Sequence, residues 1–208
     1  MTPVPAVLLL MIVYMASMIG FTTPHQQAWY LYYTPYFLLL NALIFLVYQR
    51  QWNKSLVFFL GSTLVLGGLV EGLGVHTALY GDYAFGASLG VKMGAVPLIM
   101  PIYWLIIVSS TAILAAKVWP KNTVGRLFTG VALSLSLTVL IQQVATRLDF
   151  WYLEGRLLWQ YIVVQGLIIA LLHYLFIRWR VASENNIAGY VYGGLLIFFI
   201  GVVSFLKP

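Results

Sequence analysis

The chain is 208 residues long, 62% apolar, 16% aromatic and only 8% charged. Soluble domains carry about 25% charged residues, so too little polar surface exists here to clothe a water-soluble globule, and secreted, nuclear and cytosolic classes are excluded. A formal charge of +6 would point to nucleic acid in a soluble protein, but in a membrane chain its placement around the spans decides what it means.

Apolar runs of about 20 residues, enough to cross a bilayer, recur along the chain. They predict spans at Val4–Gly20, Tyr30–Tyr48, Ser55–Leu73, Val96–Val118, Val124–Ala145, Trp159–Ile177 and Ile187–Phe205. The expected fold is all-α: a polytopic membrane bundle of seven transmembrane helices, with residues 1–208 read as one integral membrane domain. The first run has no Lys or Arg ahead of it, so it lacks the charged head of a cleaved signal peptide and counts as a span. Arg50 and Lys54 follow span two, Lys117, Lys121 and Arg126 follow span four, and Arg178 and Arg180 follow span six, so seven of the eleven basic residues share one face. The positive-inside rule makes that face cytoplasmic, puts the N-terminus inside and places the protein in the inner (cytoplasmic) membrane, with Lys207 as an anchor at the opposite headgroups. The charge marks topology among membrane lipids; no nucleic acid is implied.

Four of the five acids fall on the other face, and Glu184 alone lies with the bases. Glu71 and Asp82 follow span three, and Asp149 and Glu154 follow span five. Glu71 comes four and three residues after Gly67 and Gly68, which puts it on the helical face where small residues let neighbouring helices approach. A carboxyl group pointing into a bundle is costly unless partnered, and such a residue is a functional candidate by default. From Glu71 to Pro97 glycines stand at 72, 74, 81, 86, 90 and 94 among aromatic and polar residues. Irregular backbone at membrane depth persists only where it is buried or lines a cavity, so a Gly-rich elbow between helices three and four is expected to roof a pocket. Span five carries Ser134, Thr138 and Gln142 at helical spacing, and span six carries Gln165 and His173. Both stripes read equally as an inner wall or as hydrogen-bonding glue between helices.

Several chemistries are absent from the sequence. Without cysteine there are no thiolate nucleophiles, disulfides or Cys-based metal sites, and His25, His76 and His173 show no metal-ligand spacing. No phosphate-binding glycine loop and no GxSxG elbow occur, and span seven has no lysine for a Schiff base. Acid catalysis without metal or cofactor is what remains.

Glu71-Gly72-Leu73-Gly74-Val75, Gly81-Asp82-Tyr83, Gly86, Leu89-Gly90 and Val96-Pro97 through Trp104 together resemble the signature of the membrane-integral carotenoid hydratases. Thr34-Pro35 with a leucine run before Asn41, and the acidic pair Asp149 and Glu154, extend the likeness over about two-thirds of the chain. The chain departs from the pattern with Ala78 after Thr77, Tyr103 before the tryptophan, and Val163-Val164-Gln165-Gly166-Leu167 late in the sequence.

The resemblance implies addition of water across the terminal C1–C2 double bond of an acyclic ψ end group, giving a tertiary alcohol. The substrate is then a carotenoid, no redox cofactor is needed, and other enzymes of the carotenoid pathway are the expected partners. Protonation at C2 creates a tertiary cation at C1, which calls for a carboxylic acid kept neutral by apolar surroundings and for a directed water. On this reading Glu71 or Asp82 delivers the proton, while the other, or Asp149, orients and deprotonates the water, and His76 shares the proton relay. Tyr83, Trp104 and Trp151 face the cation, and Gln142 and Glu154 complete the substrate site. Two alternatives stay open. The same proton can start ring closure or double-bond isomerisation, or Glu71 and the outer acids can form the ion path of a transporter with the elbow as its gate.

Overall fold

Proline and asparagine set where the helices begin. Pro5, Pro24 and Pro101 sit in the first turns of α1 (Val4–Thr22), α2 (Pro24–Val47) and α4 (Met100–Val118), where a missing N–H costs nothing. The Asn53 side chain accepts from Leu56 N at 2.8 Å to cap α3 (Lys54–His76), and Asn122 accepts from Gly125 N at 2.9 Å to cap α5 (Thr123–Gln142). With α6 (Leu158–Arg178) and α7 (Ala188–Phe205), seven helices among the described residues are long and apolar enough to cross a membrane. The chain is a multi-pass, all-helical membrane bundle. The computed structural model describes residues 2–77, 79–154 and 158–206; Ala78 and Lys207 lie outside them.

Helix ends shift from the sequence expectation by up to three residues at most places, as where α3 runs on to His76 and α5 stops at Gln142, and by more than three at two starts. α2 begins at Pro24, six residues before Tyr30, because Pro24 starts a helical turn that carries the polar His25-Gln26-Gln27 beyond the apolar run. α4 begins at Met100 rather than Val96, because Val96–Pro97 is strand β3 of a small hairpin with β2 (Lys92–Met93).

α4 is the hub. In its most apolar stretch 72% of residues are buried, against 28–39% in the other six helices, and it packs on α2, α3, α5, α6 and α7. Small residues make these approaches possible, as expected where helices associate by close packing. Gly67 receives the Trp104 ring, and Gly194 receives the Tyr14 ring from α1.

At the basic end, buried Asn185 joins the inter-helix links. Its Nδ2 donates to Phe45 O at 2.8 Å and Gln49 Oε1 at 3.2 Å, its Oδ1 accepts from Ile187 N and Ala188 N, and its carbonyl accepts from Lys117 Nζ at 2.8 Å. The α2–α3, α4–α5 and α6–α7 connections therefore meet at one end of the bundle, as the basic residues around them imply.

The opposite end is closed by the glycine-rich segment, and here the fold contains structure that local patterns do not announce. β1 (Asp82–Phe85) pairs antiparallel with β4 (Trp151–Glu154), in the register Asp82 to Glu154, Tyr83 to Leu153, Ala84 to Tyr152 and Phe85 to Trp151. Side chains alternate across a strand, so Tyr83 and Phe85 turn inward while Asp82 and Ala84 face out. Two strands this short, far apart in sequence, leave little periodicity to read. The elbow is held against α2 where Gly90, at φ +79°, lies on the Pro35 ring; a Cβ there would crowd it.

Candidate active site

Glu71 is fully buried one to two turns before the end of α3. Its carboxyl group accepts three hydrogen bonds. Trp104 Nε1 donates to Oε1 at 2.9 Å, Gln165 Nε2 donates to Oε1 at 3.2 Å, and Tyr83 Oη donates to Oε2 at 2.9 Å. Donors from α4, α6 and the elbow thus converge on one side chain of α3. Gln165 Nε2 also lies 3.3 Å from Tyr80 Oη.

The helical stripe Gly67–Glu71–Gly74 builds this arrangement. Residues three, four and seven apart share a face. Gly67 makes room for the indole of Trp104, and Gly74 makes room for the rings of Tyr80 and Tyr83. A side chain at either glycine would displace a group that holds or surrounds the carboxyl. Tyr80, Tyr83 and Tyr161 enclose it further: their ring centroids lie 5.2 Å apart for Tyr80–Tyr83, 5.0 Å for Tyr80–Tyr161 and 6.0 Å for Tyr83–Tyr161. Burial, with the neighbouring Glu71 next, pushes the Tyr83 phenol well above its ordinary value. It therefore keeps its proton and stays a donor.

The other acids do not join Glu71. Asp82 is exposed on the outward side of β1, because the alternation that turns Tyr83 inward turns its neighbour outward. Glu154 is its backbone partner across the ribbon; the Glu154 side chain lies outside the described residues. His76 is exposed in the last turn of α3, five residues beyond Glu71 and hence on a different face.

Asp149 is engaged in the elbow. Its Oδ2 accepts from Ala87 N at 2.7 Å and Ser88 N at 3.2 Å, and the Tyr152 hydroxyl donates to Oδ1. Ser88 Oγ donates to Leu148 O at 2.6 Å and also to Asp149 O, and Gly86 packs on Asp149 so closely that a Cβ would collide with it. Asp149 itself takes the left-handed φ of 52°. This clamp fixes the turn before β4 to the turn after β1.

Partial burial works to raise the pKa of Asp149. The hydrogen bonds from Tyr152, Ala87 and Ser88 and the charge of Lys92 outweigh it and hold the group below the ordinary carboxylate range. A depressed folded value means that the clamp stabilises the fold above the unfolded Asp value, about 3.9, and that this contribution fades as pH falls through the lower folded value. Protection of the Ala87 and Ser88 amides, measured as hydrogen exchange relative to the intrinsic rate at each pH, is therefore expected to fall as the pH drops below about 4 in the wild type. In Asp149→Asn protection should be low already at neutral pH and show no such step.

Trp151 and Gln142 form a pair: Trp151 Nε1 donates to Gln142 Oε1 at 2.7 Å. The Trp151 ring packs against Tyr103 and Phe150. With Tyr103, Leu89, Thr34 and Phe198 it lines an apolar internal cavity of about 30 Å³ between α2, α4, α5 and α7. Tyr103 links the two regions along α4, since it lines this cavity and is the sequence neighbour of Trp104, whose indole donates to Glu71. Its Oη is buried beside Thr138 but outside hydrogen-bonding geometry. Among the described residues Tyr103 Oη and Ser109 Oγ are the buried side-chain polar atoms without a partner.

Of the residues proposed from the sequence, then, Glu71, Tyr83 and Trp104 meet directly, and Trp151, hydrogen-bonded to Gln142, lines the internal cavity. Gln165 carried an ambiguous polar signal, whereas Tyr80 and Tyr161 were not singled out. Tyr161 and Gln165 are four apart on α6 and so share a face, which was the available signal.

The fold and this site define a polytopic membrane protein that holds a buried, hydrogen-bonded carboxyl group among aromatic rings. The chain belongs to the carotenoid biosynthesis protein family, which matches residues 32–162, more than half of its length. Its role accordingly lies in carotenoid metabolism. The matched stretch runs from α2 into α6 and includes every residue around Glu71 described above except Gln165. Among curated proteins and solved structures nothing matches significantly.

Proposed function

We propose that the protein is a carotenoid hydratase that adds water across the terminal C1–C2 double bond of an acyclic ψ end group. The observation that carries this reading is Glu71: a carboxyl group with no solvent exposure, oriented by Tyr83, Trp104 and Gln165 in a chain of the carotenoid family. In the proposed step the neutral acid transfers its proton to C2, leaving a tertiary cation at C1 and a carboxylate on Glu71. Water attacks C1 and the proton it loses returns to the carboxylate, so the net reaction is alkene plus water giving tertiary alcohol.

The trapped donors that hold the carboxylate also stabilise it once it forms. The rings of Tyr80, Tyr83, Tyr161 and Trp104 surround the site, and each ring face presented to a cation contributes roughly 0.5–2 kcal/mol. Asp82 and Asp149 take no part in this version of the reaction, because one faces outward and the other is held by the elbow. Tyr103 is assigned the attacking water. Its unpartnered hydroxyl, on a residue of the cavity wall, can orient a water without first breaking another bond.

The basic end of the bundle is placed at the cytoplasm by the positive-inside rule, which puts the elbow and the Glu71 site toward the other surface. The deciding experiment is conversion of an acyclic carotene in heavy-oxygen water. The new hydroxyl should carry the heavy oxygen fully, and an unlabelled hydroxyl would rule hydration out. One feature favours a second reading: the lining of the internal cavity is almost wholly apolar, which would protect a cation long enough for a neighbouring double bond to close a ring. A product of unchanged mass would select that cyclase.

A further inference from the structure

The internal cavity is far too small for a carotenoid. Its 30 Å³ leaves room for no more than a water or two, whereas ligand pockets run to roughly 300–1,000 Å³. Two surface grooves adjoin it. One, of about 580 Å³, runs between α2, the elbow and the start of α4, and is walled by Tyr32, Pro35, Tyr36, Leu89, Leu98 and Ile102 among others, with no charged side chain. The other, of about 430 Å³, lies between α1 and α2 and is rich in rings such as Trp29, Tyr33 and Phe37.

The two differ in what separates them from the interior. The α1–α2 groove shares Phe21 and Phe37 with the cavity. Both rings pack on Phe198, with centroids 5.6 and 5.7 Å away, so this wall is locked from two helices. The α2–elbow groove shares Leu89. Leu89 is a single aliphatic side chain, 2% exposed, on irregular backbone beside Gly90. Its neighbour Gly90 packs on Pro35 of α2, and there Thr34 lines the cavity with Leu89 while Pro35 lines the groove with it. Pro35 cannot donate the helical bond to residue 31, so α2 is locally weakened at this wall. Outside it, Tyr36 and Leu98 are 58% and 51% exposed, which opens the groove toward the lipid.

The geometry points to the α2–elbow groove as the binding site for the linear hydrocarbon chain of the polyene substrate, with Leu89 as the partition past which the end group reaches Tyr103 and Glu71. This rests on the carotenoid reading of the site. A rod-like apolar molecule dissolved in the bilayer meets an uncharged groove at membrane depth. Displacing one leucine side chain on a loop joins that groove to the cavity.

The chain has no cysteine, so one introduced cysteine is a unique point of attachment. Leu98→Cys marks the α2–elbow groove and Trp29→Cys marks the α1–α2 groove. Each variant in lipid nanodiscs is treated with a bulky maleimide and compared with itself before labelling, reading both retention of an acyclic carotene by absorbance and its conversion. Labelling at position 98 should cut retention and conversion at least tenfold, while labelling at 29 should change them less than twofold. Unchanged carotene retention after complete labelling at 98, or an equal loss at 29, would overturn the groove assignment. Wild-type protein that retains the carotene but yields no water adduct would refute hydration while leaving the groove test readable. Leu89→Trp supplies the finer test: the polyene should still be retained, with conversion reduced at least tenfold, and full conversion would exclude Leu89 as the partition.

Discussion

Glu71→Gln is expected to leave a folded, membrane-inserted protein that makes no detectable hydroxylated carotenoid, a loss of roughly 10²–10⁴-fold for removal of a general acid. The structural cost should be small. Glutamine has the shape of glutamic acid, and its Oε1 still accepts from Trp104 Nε1 and Gln165 Nε2, the two donors now at 2.9 and 3.2 Å. The Tyr83 hydroxyl can rotate to accept from the new amide in place of donating at 2.9 Å. What the amide cannot do is release a proton to an alkene. Pigment analysis of a host that makes the acyclic substrate, together with thermal unfolding of the purified variant, separates lost chemistry from lost fold.

Tyr103→Phe should behave in a way that a packing residue would not. The phenol oxygen makes no hydrogen bond, so its removal costs little stability and relieves a buried polar group of its desolvation. The ring, with its contact to Trp151 at a centroid distance of 6.3 Å, is retained. If the hydroxyl orients the attacking water, kcat should fall about 100-fold with KM nearly unchanged, and cyclised or isomerised by-products of unchanged mass should rise as the cation finds other exits. A phenylalanine variant with wild-type turnover and product profile would remove Tyr103 from the reaction.

The spans were legible because a run of apolar residues long enough to cross a bilayer has few other uses. Their ends were less so: the polar His25-Gln26-Gln27 turn belongs to α2 but carries no apolar signal. That Glu71 faces protein followed from Gly67 and Gly68 on the same face, and the structure adds that Gly67 and Gly74 make room for the aromatic groups around it. Its third donor, Gln165, comes from α6, and no local pattern says which of several buried polar residues reaches across a bundle. The β1–β4 ribbon joins four-residue strands across most of the matched region. The partners of Asp149 include the backbone N–H groups of Ala87 and Ser88, which any residue supplies. The sequence therefore marks Asp149 as an acid in a loop and conceals that it is a clamp.

Deuterium tracing addresses the central claim, proton delivery from Glu71 to a carotenoid double bond, most directly. In heavy water the wild-type enzyme should place one deuterium on C2, next to the new tertiary alcohol, and Glu71→Gln should form none of this product. A hydroxylated product with no deuterium at C2, or one formed undiminished by the glutamine variant, would contradict the account.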